Sequence, residues 1–151
     1  TPNGAKVIEY NCRFGDPETQ VVLPLLETDI MDIIEAVWEE KLDTLDIKWS
    51  DKSCACVVMA SGGYPEKYET GKVISGLDEN GQCEGAFVYH AGTKLEDGKF
   101  LTAGGRVLGI TAYGDTLKEA LDTAYKAVDT ISFEKAHYRH DIGKKALSAL
   151  K

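Results

Sequence analysis

A series of short apolar segments separated by tight turns most constrains how this chain folds. Each segment has the length and composition of a β-strand, and the turns between them contain Gly, Pro or Asn-Gly. The turn Glu79–Gln82 has the Asn-Gly pair of a β-hairpin, which predicts antiparallel neighbours. The segments predicted to be strands are Cys54–Ala60, Lys72–Ser75, Ala86–Ala91, Phe100–Thr102 and Val107–Tyr113.

A long helix follows the predicted strands. Thr116 and Glu119 have the spacing of a capping box at its start. Apolar residues then recur at helical spacing between Leu117 and Ile131 and form one face. Antiparallel strands followed by a covering helix predict an α+β domain, which we place at residues 49–151 with a short final helix in its tail.

The first 48 residues do not have the pattern of an independent domain. Residues 7–10 are predicted to form a strand, which needs a later strand of this chain or sequence upstream of the first residue to pair with it. A helix is predicted next, with Asp16 as its cap and Pro17 at its first position. Pro24 is expected to kink or shorten this helix.

A second helix is predicted between the first helix and the boundary near Lys48. Thr28 is its predicted cap, and apolar residues recur at helical spacing from Ile30 to Leu42. Trp38 lies on the apolar face and is predicted to be in the core, while Trp49 is expected at the domain boundary.

Charge and composition disfavour several classes of protein. The net charge of −8 disfavours non-specific binding to nucleic acid and to anionic membranes. No apolar run approaches the roughly 18 residues that span a bilayer, and Thr1–Lys6 does not resemble a signal peptide. The four cysteines have neither zinc nor disulfide spacing, which predicts buried, reduced thiols in a cytoplasmic protein.

Glu9 and Asn11 are the candidate metal ligands. On a strand they are two residues apart, so both side chains point to one face, and their oxygens are hard ligands suited to magnesium or manganese. Arg13 would continue that face and could meet phosphate oxygens. The alternative is a solvent-facing Glu9–Arg13 pair with Asn11 ending the strand, and spacing alone favours that alternative.

Weaker signals lie in the second half of the chain. The run Gly104-Gly105-Arg106 could cradle a phosphate or simply turn the chain. Gly62-Gly63 is interpreted as a turn, and His90 as a structural histidine. Arg139 and Asp141 are interpreted as a pair that holds the tail in place.

One longer string changes the balance at Glu9 and Asn11. Residues 7–20 read Val-Ile-Glu-Tyr-Asn-Cys-Arg-Phe-Gly-Asp-Pro-Glu-Thr-Gln, which closely resembles the signature of the phosphoribosylamine–glycine ligase family of the ATP-grasp superfamily. The resemblance extends over essentially the whole chain. Its other segments are His90–Thr93, Gly104–Gly109, Ala124–Val128 and Tyr138–Gly143.

The resemblance implies a division of the site among these residues. Glu9 and Asn11 would bind the Mg²⁺ or Mn²⁺ that bridges the ATP phosphates. Arg13, Asp16 and Glu18 would be catalytic residues near the γ-phosphate and the glycine site, with Arg13 also contacting the nucleotide. Gly104, Gly105 and Arg106 would help to close the phosphoribosylamine pocket. Residues 1–48 would end the ATP-grasp domain, and residues 49–151 would form the C-terminal domain.

The implied reaction joins glycine to 5-phosphoribosylamine in purine synthesis, with ATP as co-substrate. The ATP-covering lobe of this superfamily lies upstream, so residues 1–151 alone are expected neither to ligate nor to bind ATP tightly. Sub-micromolar binding of Mg-ATP in a calorimetric titration would contradict that expectation. Two alternatives are another ATP-grasp carboxylate–amine ligase and a non-catalytic binding module, and Arg13–Glu18 favours the glycine ligase over the first.

Overall fold

The computed structural model describes residues 2–10 and 12–149. In the described part of the chain, long irregular connections separate the helices and strands. Two 3₁₀ turns occupy Leu23–Leu25 and Leu42–Thr44. The helices are α1 Thr19–Val22, α2 Ile30–Trp38, α3 Leu117–Val128 and α4 Lys144–Ala149. The strands are β1 Ser53–Ala60, β2 Phe87–His90, β3 Thr93–Glu96, β4 Lys99–Thr102 and β5 Arg106–Gly114.

The strands form two antiparallel sheets. The larger sheet has the order β1-β5-β2, so β5 is its central strand, and Ile110 of β5 lies between Val57 and Val88. The strands β3 and β4 form a separate hairpin. The prediction of a mixed fold with antiparallel strands is therefore confirmed.

One face of the larger sheet forms the core together with α3. Alternate residues of β1 are more deeply buried, as expected for a strand with one face on a core. The helix α3 packs across both β5 and β1 and contributes its apolar stripe. The fully buried residues at this contact include Val57, Met59, Leu108, Ile110, Ala124 and Val128.

The start of α3 has the predicted capping box. The Thr116 hydroxyl accepts a hydrogen bond from the backbone N–H of Glu119 at 3.2 Å. In return, a Glu119 carboxylate oxygen accepts from the backbone N–H of Thr116 at 3.3 Å and of Asp115 at 3.0 Å. The helix ends at Val128, so Ile131 is buried beyond it rather than within it.

Two predicted strands are wrong. Residues 4–10 have no regular structure, and Ile8 is 97% exposed, because no strand of the described chain pairs with them and an unpaired strand leaves its backbone groups unbonded. Residues 72–75 form only isolated bridges, from Val73 to Leu101 and from Ser75 to Ser132. The strand β3 was not predicted, since its sequence Thr-Lys-Leu-Glu carries little apolar signal.

The first two helices differ from their predictions in detail. The cap of α1 is Glu18 without a side-chain bond, so Asp16 is not a cap, and α1 has only four residues. The cap of α2 is Asp29, while the Thr28 hydroxyl accepts from the backbone N–H of Lys48 at 2.7 Å. Trp38 is 88% exposed and not in the core, because nothing in the described chain covers that face of α2. In the described residues, no helix combines the length and apolarity needed to cross a bilayer.

Candidate functional site

Asp16 and Arg106 are in direct contact, although they are far apart in the chain. Arg106 Nη2 lies 3.0 Å from Asp16 Oδ2, and Arg106 Nη1 donates to the backbone oxygen of Asp16 at 2.9 Å. The other carboxylate oxygen of Asp16 accepts from the Gln20 amide at 2.9 Å. The signature string, which contains Asp16, and the run Gly104-Gly105-Arg106 are therefore joined in one hydrogen-bonded group.

The larger sheet positions this group. Arg106 is the first residue of β5, and Asp16 lies in the turn that leads into α1. At the far end of the same segment, the Tyr113 hydroxyl donates to the backbone oxygen of Pro24 at 3.3 Å. The segment of residues 13–25, which we call the motif segment, thus lies across the face of the sheet opposite α3.

A glycine in β5 allows this close approach. A Cβ atom at Gly109 would lie 3.2 Å from Cys56 Sγ and 3.9 Å from Gln20 Cγ. A larger side chain at Gly109 would therefore push against both the β1 cysteine and α1.

Two clefts flank the Asp16–Arg106 contact. The first, of about 670 Å³, lies between the motif segment and β2 and is lined by Phe14, Gly15, Asp16, Thr19, Gln20, Leu23, Pro24, Tyr89 and His90. The second, of about 290 Å³, includes Pro17, Arg106, Tyr64, His137 and Arg139 in its wall. Asp16 and Arg106 therefore contribute to different clefts, on either side of their ion pair.

Gly104 and Gly105 have a packing role in the structure. A Cβ atom at Gly104 would lie 3.0 Å from the Cα of Gly92, and one at Gly105 would lie 2.1 Å from a ring carbon of Tyr64. The Ser61 hydroxyl donates to the backbone oxygen of Gly104 at 2.8 Å, and the Ser61 N–H to that of Gly105 at 2.8 Å. These contacts account for both glycines without a ligand.

Arg13 and Glu18 are exposed near the same glycine. A Cβ atom at Gly15 would meet the Glu18 carboxylate, at 2.1 Å, and the Arg13 guanidinium, at 3.3 Å. Arg13 makes one long hydrogen bond, to the backbone oxygen of Phe14 at 3.5 Å. Within residues 2–10 and 12–149, the Glu18 side chain has no hydrogen-bond or ion-pair partner. Unlike Asp16, both side chains are therefore available to a ligand.

The predicted metal pair is only half described. Glu9 is exposed, and Asn11 lies outside the described residues. The carboxylate of Glu9 has the donor chemistry that magnesium and manganese accept. No group of three or more His, Cys, Asp or Glu side chains that could hold a metal ion exists in the described part of the chain.

His90 is a structural histidine, as predicted. Its Nε2 lies 2.9 Å from the backbone oxygen of Gly81, and its Nδ1 lies 2.8 Å from the Thr93 hydroxyl. A carbonyl oxygen only accepts, so Nε2 carries the proton. The ring also packs on Phe100 with centroids 5.0 Å apart, and this side chain ties β2 to the β3–β4 hairpin.

The predicted Arg139–Asp141 pair is present in the tail. Arg139 Nε and Nη2 donate to the two carboxylate oxygens of Asp141 at 2.9 and 3.0 Å. Hydrogen bonding to Arg139 lowers the pKa of the Asp141 carboxyl below its ordinary value. The Tyr125 hydroxyl of α3 donates to the backbone oxygen of Arg139 at 2.8 Å and holds this tail on the helix.

The cysteines of β1 lie on the face that carries the motif segment. Cys54 and Cys56 are half-buried and Cys12 is exposed, so the prediction that all the thiols are buried is wrong. Burial, followed by the proximity of Cys56, raises the pKa of the Cys54 thiol to about 11. Burial also raises the pKa of Cys56. These thiols remain protonated at neutral pH.

Comparison with known proteins gives one consistent family. The family described as "Phosphoribosylglycinamide synthetase, C domain" matches residues 54–145. A phosphoribosylamine–glycine ligase from Caldanaerobacter subterraneus is 55% identical over 94% of this chain and 33% of its own length. One from Synechocystis is 51% identical over 97% of this chain and 35% of its own.

A solved structure agrees with these relatives. The crystal structure of a phosphoribosylamine–glycine ligase from Thermotoga maritima superposes with a TM-score of 0.70 and 34% identity. The superposition covers 89% of this chain and 32% of that protein. The chain thus spans about a third of the length of the relatives it matches.

Proposed function

The chain belongs to the phosphoribosylglycinamide synthetase C-domain family, and on that premise we propose that it is the C-terminal part of an ATP-dependent ligase. The ligase joins glycine to 5-phosphoribosylamine and yields glycinamide ribonucleotide, ADP and phosphate, a step of purine synthesis. The observation that carries the proposal is the Asp16–Arg106 contact, which unites the signature string with the family's C-terminal domain. A cytoplasmic location remains a prediction.

The chemistry divides into two balanced steps. A carboxylate oxygen of glycine attacks the γ-phosphorus of ATP, the bond to the β-phosphate oxygen breaks, and ADP leaves with that electron pair. The amine of phosphoribosylamine then attacks the carbonyl carbon of glycyl phosphate, and inorganic phosphate leaves as the amine loses a proton. These two reaction steps depend on the positioning of the substrates and on charge neutralisation, and they need no nucleophile from the protein.

In this proposal the motif segment supplies the polar contacts to glycine and phosphate. Arg13 pairs with phosphate oxygens, because an exposed guanidinium donates to two of them at once. Glu18 accepts from the glycine ammonium group, which its free carboxylate supports. Asp16 acts differently, since both of its oxygens are already engaged by Gln20 and Arg106.

Glu9 and Asn11 would hold Mg²⁺ or Mn²⁺. The hard oxygen of Glu9 supports this assignment, and the ion would neutralise charge on the phosphates of ATP.

Contacts of Gly104, Gly105 and Arg106 with phosphoribosylamine remain a prediction. The packing of both glycines and the pairing of Arg106 with Asp16 give these residues a structural role that does not require the substrate.

The domain assignment is also part of the proposal. Residues 1–48 end the ATP-grasp domain and residues 49–151 form the C-terminal domain, which agrees with a family match that starts at residue 54. The partner of residues 1–48 is the upstream part of the ligase. Apolar side chains exposed in this region support that partner: Val7, Ile8, Tyr10, Met31, Ile34, Val37 and Trp38.

The test is an assay of the whole ligase that contains this chain. ADP release and ribonucleotide formation are measured with glycine and with other amino acids or carboxylic acids at equal concentration. We expect ligation with glycine and a loss of about tenfold or more in kcat/KM for glycine in Glu18→Gln. Glu79→Gln, an exposed carboxylate in the Glu79–Gln82 turn, is the matched control and should match the wild type. Preference for another acid, or equal losses in both variants, would overturn the proposal.

A further inference from the structure

We propose that Arg106 is a positioning residue that holds the Asp16–Glu18 turn in its working geometry. The inference rests on the proposed ligase function and concerns how the C-terminal sheet supports the site. It also revises the predicted role of Arg106, from a contact with phosphoribosylamine to a contact with the protein's own signature string.

The contact fixes both the side chain and the backbone of Asp16. The planar guanidinium forms an ion pair with a carboxylate oxygen at 3.0 Å and donates a hydrogen bond to the backbone oxygen of the same residue at 2.9 Å. Gln20 occupies the second carboxylate oxygen from the other side at 2.9 Å. Two hydrogen bonds and one ion pair, from two directions, therefore leave Asp16 little rotational freedom.

Arg106 lies at the start of a buried strand in the centre of the larger sheet. Arg106 begins the central strand β5, and the next residue, Val107, is fully buried. The turn before it is packed on Gly92 and Tyr64 and bonded to Ser61. The side chain of Arg106 thus projects from a fixed backbone.

The turn that receives the contact has little stability of its own. The helix α1 has four residues, no side-chain cap and no buried residue, and so short a helix is not stable by itself. The ion pair is 40% exposed at Arg106 and 48% at Asp16, so it adds little to global stability. Its effect is to hold the turn that carries Glu18 in a fixed position relative to the sheet.

The contact also neutralises charge beside the larger cleft. Asp16 lines that cleft together with Phe14 and Gly15, and the proposed ligands, glycine and ATP, both bring negative oxygens. Without Arg106, the Asp16 carboxylate would be an uncompensated negative charge at that wall. Loss of Arg106 therefore disturbs both the position of the turn and the charge of the site.

The experiment is a double-mutant cycle in the whole ligase, with Arg106→Gln, Asp16→Asn and the double variant. We expect Arg106→Gln to lower kcat by about 10- to 100-fold, the range for small misplacements of catalytic groups. In the Asp16→Asn background the same change should cost less than about twofold, because its partner is already altered. Arg106→Lys should recover part of the rate, since an ammonium reaches one of the two oxygens.

Tyr113→Phe is the matched control. It removes the other hydrogen bond between β5 and the motif segment, at Pro24, and leaves Asp16 untouched. We expect kcat within about twofold of the wild type. An equal loss of rate from Arg106→Gln in both backgrounds, together with a raised KM for phosphoribosylamine, would overturn the proposal in favour of direct substrate binding.

A second measurement separates this proposal from the proposed function. Hydrogen exchange of residues 13–25 in the ligand-free ligase should rise in Arg106→Gln whatever the enzyme ligates. Unchanged exchange would overturn the positioning role even in an active ligase. A wild-type protein that does not ligate glycine would instead overturn the proposed function alone.

Discussion

Replacing Gly105 by alanine tests whether the Gly104-Gly105 turn is built for packing. The new Cβ atom would lie 2.1 and 2.6 Å from two ring carbons of Tyr64 and 3.1 Å from a ring carbon of Tyr68. Carbon atoms in contact lie about 3.5 Å apart or more, so the Tyr64 ring must retreat by roughly 1.5 Å. No positive φ is involved at Gly105, and the cost is therefore steric.

The size of the effect follows from this overlap. Overpacking a well-packed site costs about 1–3 kcal/mol, and Tyr64 is only half-buried and can partly swing aside. Movement of its ring also weakens the edge-to-face contact with Tyr68, whose centroid lies 6.0 Å away. We expect Gly105→Ala to lower the free energy of unfolding by about 1–2 kcal/mol.

The assay is urea denaturation of the 151-residue chain followed by far-UV circular dichroism. Gly105→Ala is measured in the wild type and in Tyr64→Ala, where the cost should fall to within about 0.5 kcal/mol of zero. Gly98→Ala is the control, because its cost comes from a φ of +72° with no atom near the new Cβ. It should cost the same in both backgrounds. An undiminished cost of Gly105→Ala in Tyr64→Ala would refute the packing argument.

Three further predictions concern stability. Thr116→Ala should lower the free energy of unfolding, measured by urea denaturation, by about 1 kcal/mol because the capping box is lost. Thr116→Ser should retain most of the stabilisation, because serine keeps the hydroxyl that caps the helix. Ile110→Ala, in the middle of the central strand, should cost about 2–5 kcal/mol and Ile110→Val about 0.5–1.5, and equal costs would contradict the core assignment. The pKa of Cys54 is raised from 9.0 to about 11, so the folded state favours the protonated thiol over the thiolate. This contribution to the free energy of unfolding is fully present below pH 9 and is lost as the pH rises towards 11. Urea denaturation at pH 9 and at pH 11 should show a smaller loss of unfolding free energy in Cys54→Ala than in the wild type.

Local sequence signals predicted the C-terminal half of the fold. The capping box at Thr116 and the apolar segments of β1 and β5 are set by neighbouring residues, and the structure confirms them. Signals that depend on a distant partner failed. Ile8 and Trp38 lie on apolar patterns typical of buried segments, but both are exposed in the described chain because nothing there covers them.

The candidate site shows the same division between local and distant information. The signature string contains Asp16 and the run Gly104-Gly105-Arg106 contains Arg106, yet their contact joins residues 90 positions apart and has no periodicity to reveal it. The opposite charges of an aspartate in one segment and an arginine in the other were the only available signal. The free carboxylate of Glu18, by contrast with Asp16, could be recognised only from the hydrogen bonds of the folded chain.

The most direct test of the proposed function follows the oxygen atoms of glycine. The whole ligase is supplied with glycine labelled with heavy oxygen in its carboxylate, and the inorganic phosphate is examined by mass spectrometry. A glycyl phosphate intermediate predicts that each phosphate released carries one glycine oxygen and that the other remains in the amide product. Phosphate without label, formed in step with ADP, would contradict the account.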